Sequence, residues 1–364
     1  MEKDNIVLTR KIQLHIDSDD KDKRSEYYKT LFEWQDVVFR GANMVMSHQY
    51  IQEQMKDLIY LQDDVKVKLA DRNKDEEGIL NTSRMNTTYK ILSRYFKGKI
   101  HSDILSCINM TLIKTFNSER LDYWKGVKSL RNYKKDMPIP FSGSQIKLSK
   151  DENNRDFKFM LFKIPFRTYL GKDRSDKRVL LQRALVGQIK ICGSSIKIVK
   201  GKIFLLLALE MPKKQHELKD HVIAEASLAV EHPITVQIEK DSFQIGNKEE
   251  FLYRRIAIQA ARHRIQRAAA FSRGGHGRKK KLKSLEHYDQ KEKSYVDNKL
   301  HLYSRRLIDV CIKAQAGTLL LVNQSLKEEV AKEDEFLLRN WSYYGLIEKI
   351  KYKANLAGIQ VIIE

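Results

Sequence analysis

Cysteine is scarce in this sequence. Cys107, Cys192 and Cys311 lie far apart and no C-x-x-C pair occurs, which excludes a disulfide framework and leaves a zinc ribbon without its spacing. Thiols so isolated are expected as buried side chains in a reducing compartment. Proline is scarce too, with none before Pro138, so no ring interrupts a helix in the first third of the chain. No run of 18 apolar residues is present and the N-terminus lacks a signal-peptide pattern, so neither a membrane span nor export is expected. Acid is in deficit: 47 Asp and Glu stand against 68 Lys and Arg, a formal net charge of +21. A chain this basic is expected to meet a polyanion, with nucleic acid the leading partner. At 364 residues, two or three domains are expected.

The apolar pattern changes along the chain. Ile6–Ile16 alternates and reads as a strand. From about Ser25 to Met137 the pattern is helical, with Tyr27, Leu31, Trp34, Val38 and Val45 on one stripe. Ser102 is expected to cap a helix over Asp103–Phe116, and Leu121–Leu130 reads as another amphipathic run. The aromatics Tyr27, Phe32, Trp34, Tyr95, Phe96, Tyr123 and Trp124 sit among basic residues and offer either a stacking surface or an ordinary core. After Pro138-Ile139-Pro140, strands are expected at Gln145–Leu148, Phe157–Pro165, Leu185–Cys192, Ser195–Val199 and Lys202–Glu210, forming a small barrel or sandwich that Ile6–Ile16 completes. The helical stretch is then an insertion, and Pro212–Asp220 a charged linker.

The last third is organised around Ile223–Ile238. Ala226–Val230 reads as a strand covered on both faces, broken at Glu231-His232-Pro233. Ile234–Ile238 and Ser242–Ile245 read as a hairpin, Asn247 and Glu250 as a capping-box-like pair. The helix that follows runs into Ser272–Lys281, which glycine and like charges are expected to keep extended. A second helix carries Val296, Leu300, Tyr303, Leu307 and Val310 and is expected to end at Gly317, before a strand at Thr318–Val322. Ser342 is expected to cap a final helix that buries Ile347, Ile350, Ala354 and Ala357 and closes at Gly358, before a strand at Ile359–Ile363. The order strand-strand-strand-helix-strand-helix-strand is that of a ribonuclease-H-like core.

The stretches Glu249–Leu252, Arg262–Arg267, Ser272–Lys281, Tyr344–Ile347, Lys349–Ala354 and Ala357–Val361 resemble miniature type V-F CRISPR effectors and the related TnpB transposon nucleases. The resemblance implies an α+β multidomain chain. A wedge, oligonucleotide-binding-like β-barrel (1–20 and 138–215) is interrupted by a helical recognition lobe (21–137). A RuvC, ribonuclease-H-like α/β domain lacking its zinc ribbon follows (216–364).

Nucleases of this kind hold two divalent ions on three carboxylates. In the favoured overlay the first acid's place holds Ser227; a shifted overlay puts Glu231 there. The second acid's place holds Asn323, and the sequence stops at Glu364 ahead of the third. Serine and asparagine do not supply the charge a hard cation requires, and Glu225, Glu231 and Glu239 read as solvated or strand-end carboxylates. The expectation is therefore a chain that is not an enzyme: nuclease-dead, with no zinc and no catalytic magnesium. Arg254, Arg255, Arg262, Arg264, Arg267, Arg273, Arg278, Lys279, Lys280 and Lys281 are expected to bind phosphate of the guide RNA or of its hybrid with target double-stranded DNA. By the resemblance, the outcome is regulation of transcription, by blocking RNA polymerase or by recruiting it, with a sigma factor among the expected partners. A homodimer is expected, with Trp34 and Phe39 offering apolar contact. The alternatives are an active nuclease that borrows acids from a partner, and an RNA-binding module that does not target DNA.

Overall fold

The structure is a computed structural model. It describes residues 5–59, 84–150, 156–171, 175–212, 216–229, 232–271, 274–322 and 343–364. The chain divides into two compact units, Lys3–Met211 and Pro212–Glu364, each with its own hydrophobic core.

The first unit joins one large sheet to a set of helices. Strand β1 (Asn5–Ile16) alternates as its sequence dictates, burying Ile12, Leu14 and Ile16. Helix α1 (Lys21–Ile59) buries Leu31, Trp34, Val38 and Val45 along one stripe. Helices α2 (Arg84–Phe96) and α3 (Ser102–Trp124) pack with it. The cap of α3 is one residue earlier than expected. His101 is the N-cap, its Nδ1 accepting the Asp103 N–H at 3.2 Å, and Ser102 is already helical. Short strands β2 (Ile139–Phe141) and β3 (Ser149–Lys150) end the sheet. Between them run the hairpin β4 (Phe157–Leu161) and β5 (Ile164–Tyr169), then β6 (Lys190–Ile191), β7 (Ser194–Val199) and β8 (Lys202–Pro212).

The order is β2-β7-β8-β1-β5-β4-β3, with β6 pairing β8. This corrects the expected barrel. Its terminal strands are three and two residues long and are not bonded to each other, so the sheet stays open among the described residues. Two further expectations change. Gln145–Leu148 is not a strand: a 3-10 turn at Gly143–Gln145 precedes β3. Most of Leu185–Cys192 is not one either, since Leu185 closes helix α4 (Lys177–Leu185), which buries Leu180 and Leu181.

The second unit has a five-stranded sheet in the order β11-β10-β9-β12-β13. Strands β9 (Lys219–Ser227), β10 (Ile234–Ile238) and β11 (Asp241–Ile245) are mutually antiparallel; β12 (Ala316–Leu321) and β13 (Gln360–Ile363) run parallel to β9. The strand expected at Ala226–Val230 lies earlier, since β9 ends at Ser227 and Leu228 and Ala229 follow it outside the sheet, and it is half-covered rather than covered on both faces. Val222, Ala224 and Ala226 are buried while Ile223 and Glu225 point outward.

Helices α5 (Lys248–Ala270) and α6 (Gly275–Lys313) form an antiparallel hairpin whose lower half packs on the sheet, and α7 (Tyr343–Ala357) lies against α6. Asn247 caps α5 as expected, its Oδ1 accepting the Glu249 N–H at 2.8 Å. Gly358 closes α7 at φ +79°, and the Ile359 N–H reaches the Ala354 carbonyl at 2.9 Å. Ser342, expected to cap α7, and Val230 lie outside the described residues. Gly317 does not end α6. The helix stops at Lys313 with Gln315 in the left-handed region. Gly317 sits inside β12, where an added Cβ would stand 2.8 Å from the Lys219 carbonyl oxygen; it is glycine because a neighbouring backbone passes there. No helix among the described residues is long and apolar enough to cross a membrane.

Candidate nucleic-acid interface

The basic residues singled out from the sequence gather on one element, the α5–α6 hairpin, but not in one role. Helix α5 has two faces. Toward α6 it presents Phe251, Arg255, Ile258, Arg262 and Ala269, at steps of three, four and seven. Arg255 Nε donates to Glu292 Oε1 at 2.8 Å, both side chains being nearly buried. Arg262 Nε lies 2.9 Å from Asp289 Oδ1 and its Nη1 3.8 Å from Glu292 Oε2. Gln259 adds a hydrogen bond to Glu292 at 3.1 Å. Arg255 therefore spends its charge inside the hairpin, and Arg262 spends its own on a more exposed pair along the seam. Near its base, Lys299 pairs with Glu250, and the Tyr295 hydroxyl donates to the Glu250 carbonyl at 2.9 Å. Arg254 lies over the Tyr295 ring, 5.5 Å from its centroid.

The far end differs. From Phe251 to Leu285 the sequence holds no Asp or Glu. Arg264, Arg267, Arg278, Lys279 and Lys280 are exposed there. Lys281 is half-buried and turns back, its Nζ donating to the Ala268 carbonyl at 3.0 Å. Arg273 lies outside the described residues. The expected extended form of Ser272–Lys281 is corrected for Gly275–Lys281, which is helical and opens α6. Lysine and arginine are good helix formers, and on a helix their charges project radially into solvent instead of stretching the chain. The cost is cations at the positive end of a helix dipole with no acid in its first turn. The result is a concentrated positive potential suited to phosphate.

The aromatics of the first unit separate similarly. Trp34, Phe96 and Tyr123 are core residues, whereas Phe32, Tyr95 and Trp124 are exposed. Phe32, with Tyr28, Lys29, Arg40 and Lys99, lines an open groove of about 860 Å³ on α1. Burial of Trp34 removes it as the apolar contact expected for a homodimer; Phe39 is half-buried.

The place expected for catalytic acids is on β9. Ser227 ends that strand, half-buried and opposite Thr235. Glu225 is on the same face. The Val322 N–H donates to the Ala226 carbonyl at 3.0 Å, so Val322, just past β12, lies beside the end of β9. Asn323 itself and Glu231 lie outside the described residues. Among the described residues no group of three or more His, Cys, Asp and Glu could hold a metal ion. Among the described residues Glu225 is the carboxylate on the Ser227 face of β9, and a two-ion centre needs several. The described residues alone do not fit such a centre.

No protein-family model matches the chain. It is 25% identical over 264 residues to the CRISPR-associated endodeoxyribonuclease Cas12f1 of Sulfoacidibacillus thermotolerans, covering 68% of this chain and 62% of that protein. It is 36% identical over 121 residues to the Cas12f1 of Syntrophomonas palmitatica, covering 32% of this chain and 23% of the relative. The cryo-EM structure of a Cas12f1-sgRNA-target DNA complex matches 99% of this chain and 89% of its own, with a TM-score of 0.69 and 15% identity. The chain is homologous to Cas12f1, the type V-F CRISPR effector. The solved Cas12f1 structure establishes the likeness of fold. Both curated Cas12f1 relatives are endodeoxyribonucleases by name, and this overturns the expectation that a chain of this kind is not an enzyme. The matched stretches span less than two thirds of either Cas12f1 relative.

Sequence reasoning found the basic hairpin but not its division of labour. Arg255 and Arg262 carry the same charge as Arg264 and Arg267. Only Glu292 and Asp289, some thirty residues on, make the first pair structural. It also passed over Tyr253 and Phe271, which are 80% and 88% exposed on the outer side of α5 and at its end. The signal was present, as large aromatics off the apolar stripe of a helix rich in arginine.

Proposed function

We propose that this protein is an RNA-guided, DNA-targeting effector of the Cas12f1 kind, in which the exposed end of the α5–α6 hairpin holds nucleic-acid backbone. The observation that carries the reading is the acid-free stretch Phe251–Leu285, folded so that Arg264, Arg267, Arg278, Lys279 and Lys280 face solvent together. In a guided effector, base pairing reads the sequence, while the protein supplies phosphate contacts and recognises a short flanking motif. A helical hairpin whose exposed end is acid-free suits the first of those tasks. The likeness to a chain solved with sgRNA and target DNA supports guide RNA and duplex DNA as the partners.

The test begins with the RNA that co-purifies with the full chain. Sequencing should return one scaffolded guide species, and the complex should retard a duplex matching that guide more strongly than a scrambled one. Incubating the same complex with magnesium and the matched duplex reads out strand cleavage directly. A protein that carries no RNA and does not distinguish matched from scrambled DNA defeats the proposal.

A further inference from the structure

The outer face of α5 carries more than charge. Tyr253 and Phe271 are 18 residues apart, five full turns at 3.6 residues each. They therefore lie on one line along the helix, about 27 Å apart at 1.5 Å per residue. Phe271 is the C-cap residue and keeps right-handed helical angles (φ −75°, ψ −7°), so it continues that line at the hairpin's end. Arg264 and Arg267 lie between the two rings and close to the same line, at steps of seven and four from Phe271. Arg264, Arg267, Tyr253 and Phe271 are all exposed. Tyr253 also borders an open hollow of about 460 Å³, lined by Glu249, Glu250, Arg254, Tyr295 and Lys299.

Two aromatic platforms with guanidinium groups between them are the elements by which proteins hold unpaired strands. Bases stack on the rings and phosphates meet the cations. A duplex would leave the rings unused, because its bases are already stacked on one another. A protein partner would have to neutralise a stretch that holds no acid of its own. We propose that the outer face of α5 is a track for a single-stranded stretch of nucleic acid. Phe271 and Tyr253 stack on bases at its two ends, and Arg264 and Arg267 grip the phosphates between them. This rests on the reading of the chain as a nucleic-acid-guided protein and specifies that the face takes an unpaired strand. Unpaired guide RNA and displaced DNA share the chemistry.

The experiment uses the full chain stripped of RNA in high salt, with 20-nucleotide oligo(U), 20-nucleotide oligo(dT) and a 20-base-pair duplex as probes in fluorescence anisotropy. Phe271→Ala and Tyr253→Ala should each weaken single-strand binding about 5- to 150-fold, the range for losing one stacked base. Their salt slopes should not change. Phe271→Trp and Tyr253→Phe should restore wild-type affinity. Arg264→Gln and Arg267→Gln should each lower the slope by about 0.7 on a single strand. Preference for oligo(U) assigns the track to RNA, and preference for oligo(dT) to the displaced DNA strand. Four outcomes overturn the proposal: alanine variants that bind single strands within twofold of wild type; equal losses on duplex; a ring that cannot be replaced by another aromatic; or loss of a dimer, rather than of binding, on removing Phe271. A wild-type protein that binds none of the probes defeats the broader functional reading as well. One that binds them through its cations alone defeats only the track.

Discussion

The base and the tip of the α5–α6 hairpin use the same residue types for opposite ends. At the base and along the seam, three cations meet carboxylates: Arg255 and Arg262 the Glu292–Asp289 pair, Lys299 the Glu250 carboxylate. At the tip, no acid occurs in the sequence to meet Arg264, Arg267 or Arg278–Lys280. A partly buried charge pair holds two helices in register, and its worth lies in not leaving either charge alone. An exposed cation with no carboxylate contributes little to the fold but much to attracting a polyanion. The largest separable effect should follow from this division. Replacing Arg264, Arg267, Arg278, Lys279 and Lys280 together by glutamine should lower the log–log salt slope for duplex binding by about 4.5, at about 0.9 for each phosphate no longer neutralised. At moderate salt, affinity should drop at least about 100-fold, with the unfolding midpoint in urea unchanged. If the midpoint fell and the slope held, the tip would be structural and the comparison would fail.

The seam should answer in the opposite way. Arg255→Ala leaves Glu292 nearly buried with only Gln259 and a long contact to Arg262. The expected cost is about 1–3 kcal/mol of stability, the usual penalty for orphaning a buried charged acceptor. It should be read from urea denaturation of the RNA-free protein, with oligonucleotide affinity of the folded fraction within about twofold of wild type. Pairing Arg255→Met with Glu292→Leu should recover most of that loss, because an apolar pair of similar volume replaces a buried ion pair with little penalty.

How much of this was legible in the sequence depended on the range of the forces involved. Local signals carried through: the Asn247 cap, the Gly358 terminator, the stripe Leu31–Trp34–Val38–Val45, and the alternation of β1. The β4–β5 turn was not legible. Phe162 and Lys163 both have positive φ, at 47° and 72°, without the Asn or Gly that usually announces such a turn. Phe162 is held there by rings from distant elements, stacked on His101 at 4.1 Å and edge-on to Trp34 and Phe141. Tertiary packing overrode local preference, and the sequence read as one strand. The open sheet was equally hidden, since alternation reports strands and not closure. At the candidate site, composition marked the hairpin, but only folding assigned Arg255 inward and Arg264 outward. The expected absence of nuclease chemistry rested on one overlay that returned none of three acids, with Ser227 and Asn323 at two of the places; the naming of both relatives as endodeoxyribonucleases outweighs it.

A third group of cations sharpens the comparison with the smallest effect. Lys353 on α7 turns toward α6, where its Nζ donates to the His301 carbonyl and to Ser304 Oγ at 2.9 Å. Around it stand Arg305, Lys349 and His301, with Asp309 and Asp297 engaged by Arg305 at 2.9 Å and Lys349 at 3.2 Å. Burial, reinforced by the Arg305 and Lys349 charges, pushes the Lys353 ammonium down to about 8 from 10.5. The folded chain thus releases this proton before the unfolded chain does. The charge therefore penalises folding in full below about pH 8, and the penalty is relieved as pH rises from about 8 toward 10.5, where the unfolded state binds more protons. His301 is shifted down from 6.5 by burial and the neighbouring lysines, and acts in a separate window below that value. Stability measured by urea denaturation should rise modestly between pH 7.5 and about 10 in the wild type. Lys353→Met should be more stable than wild type at pH 7, flat across that window, and unchanged in oligonucleotide affinity. A loss of binding in that variant would move Lys353 from the structural cations to the binding ones. The distinction between base and tip would then be one of degree, set by how far each cation stands from a carboxylate.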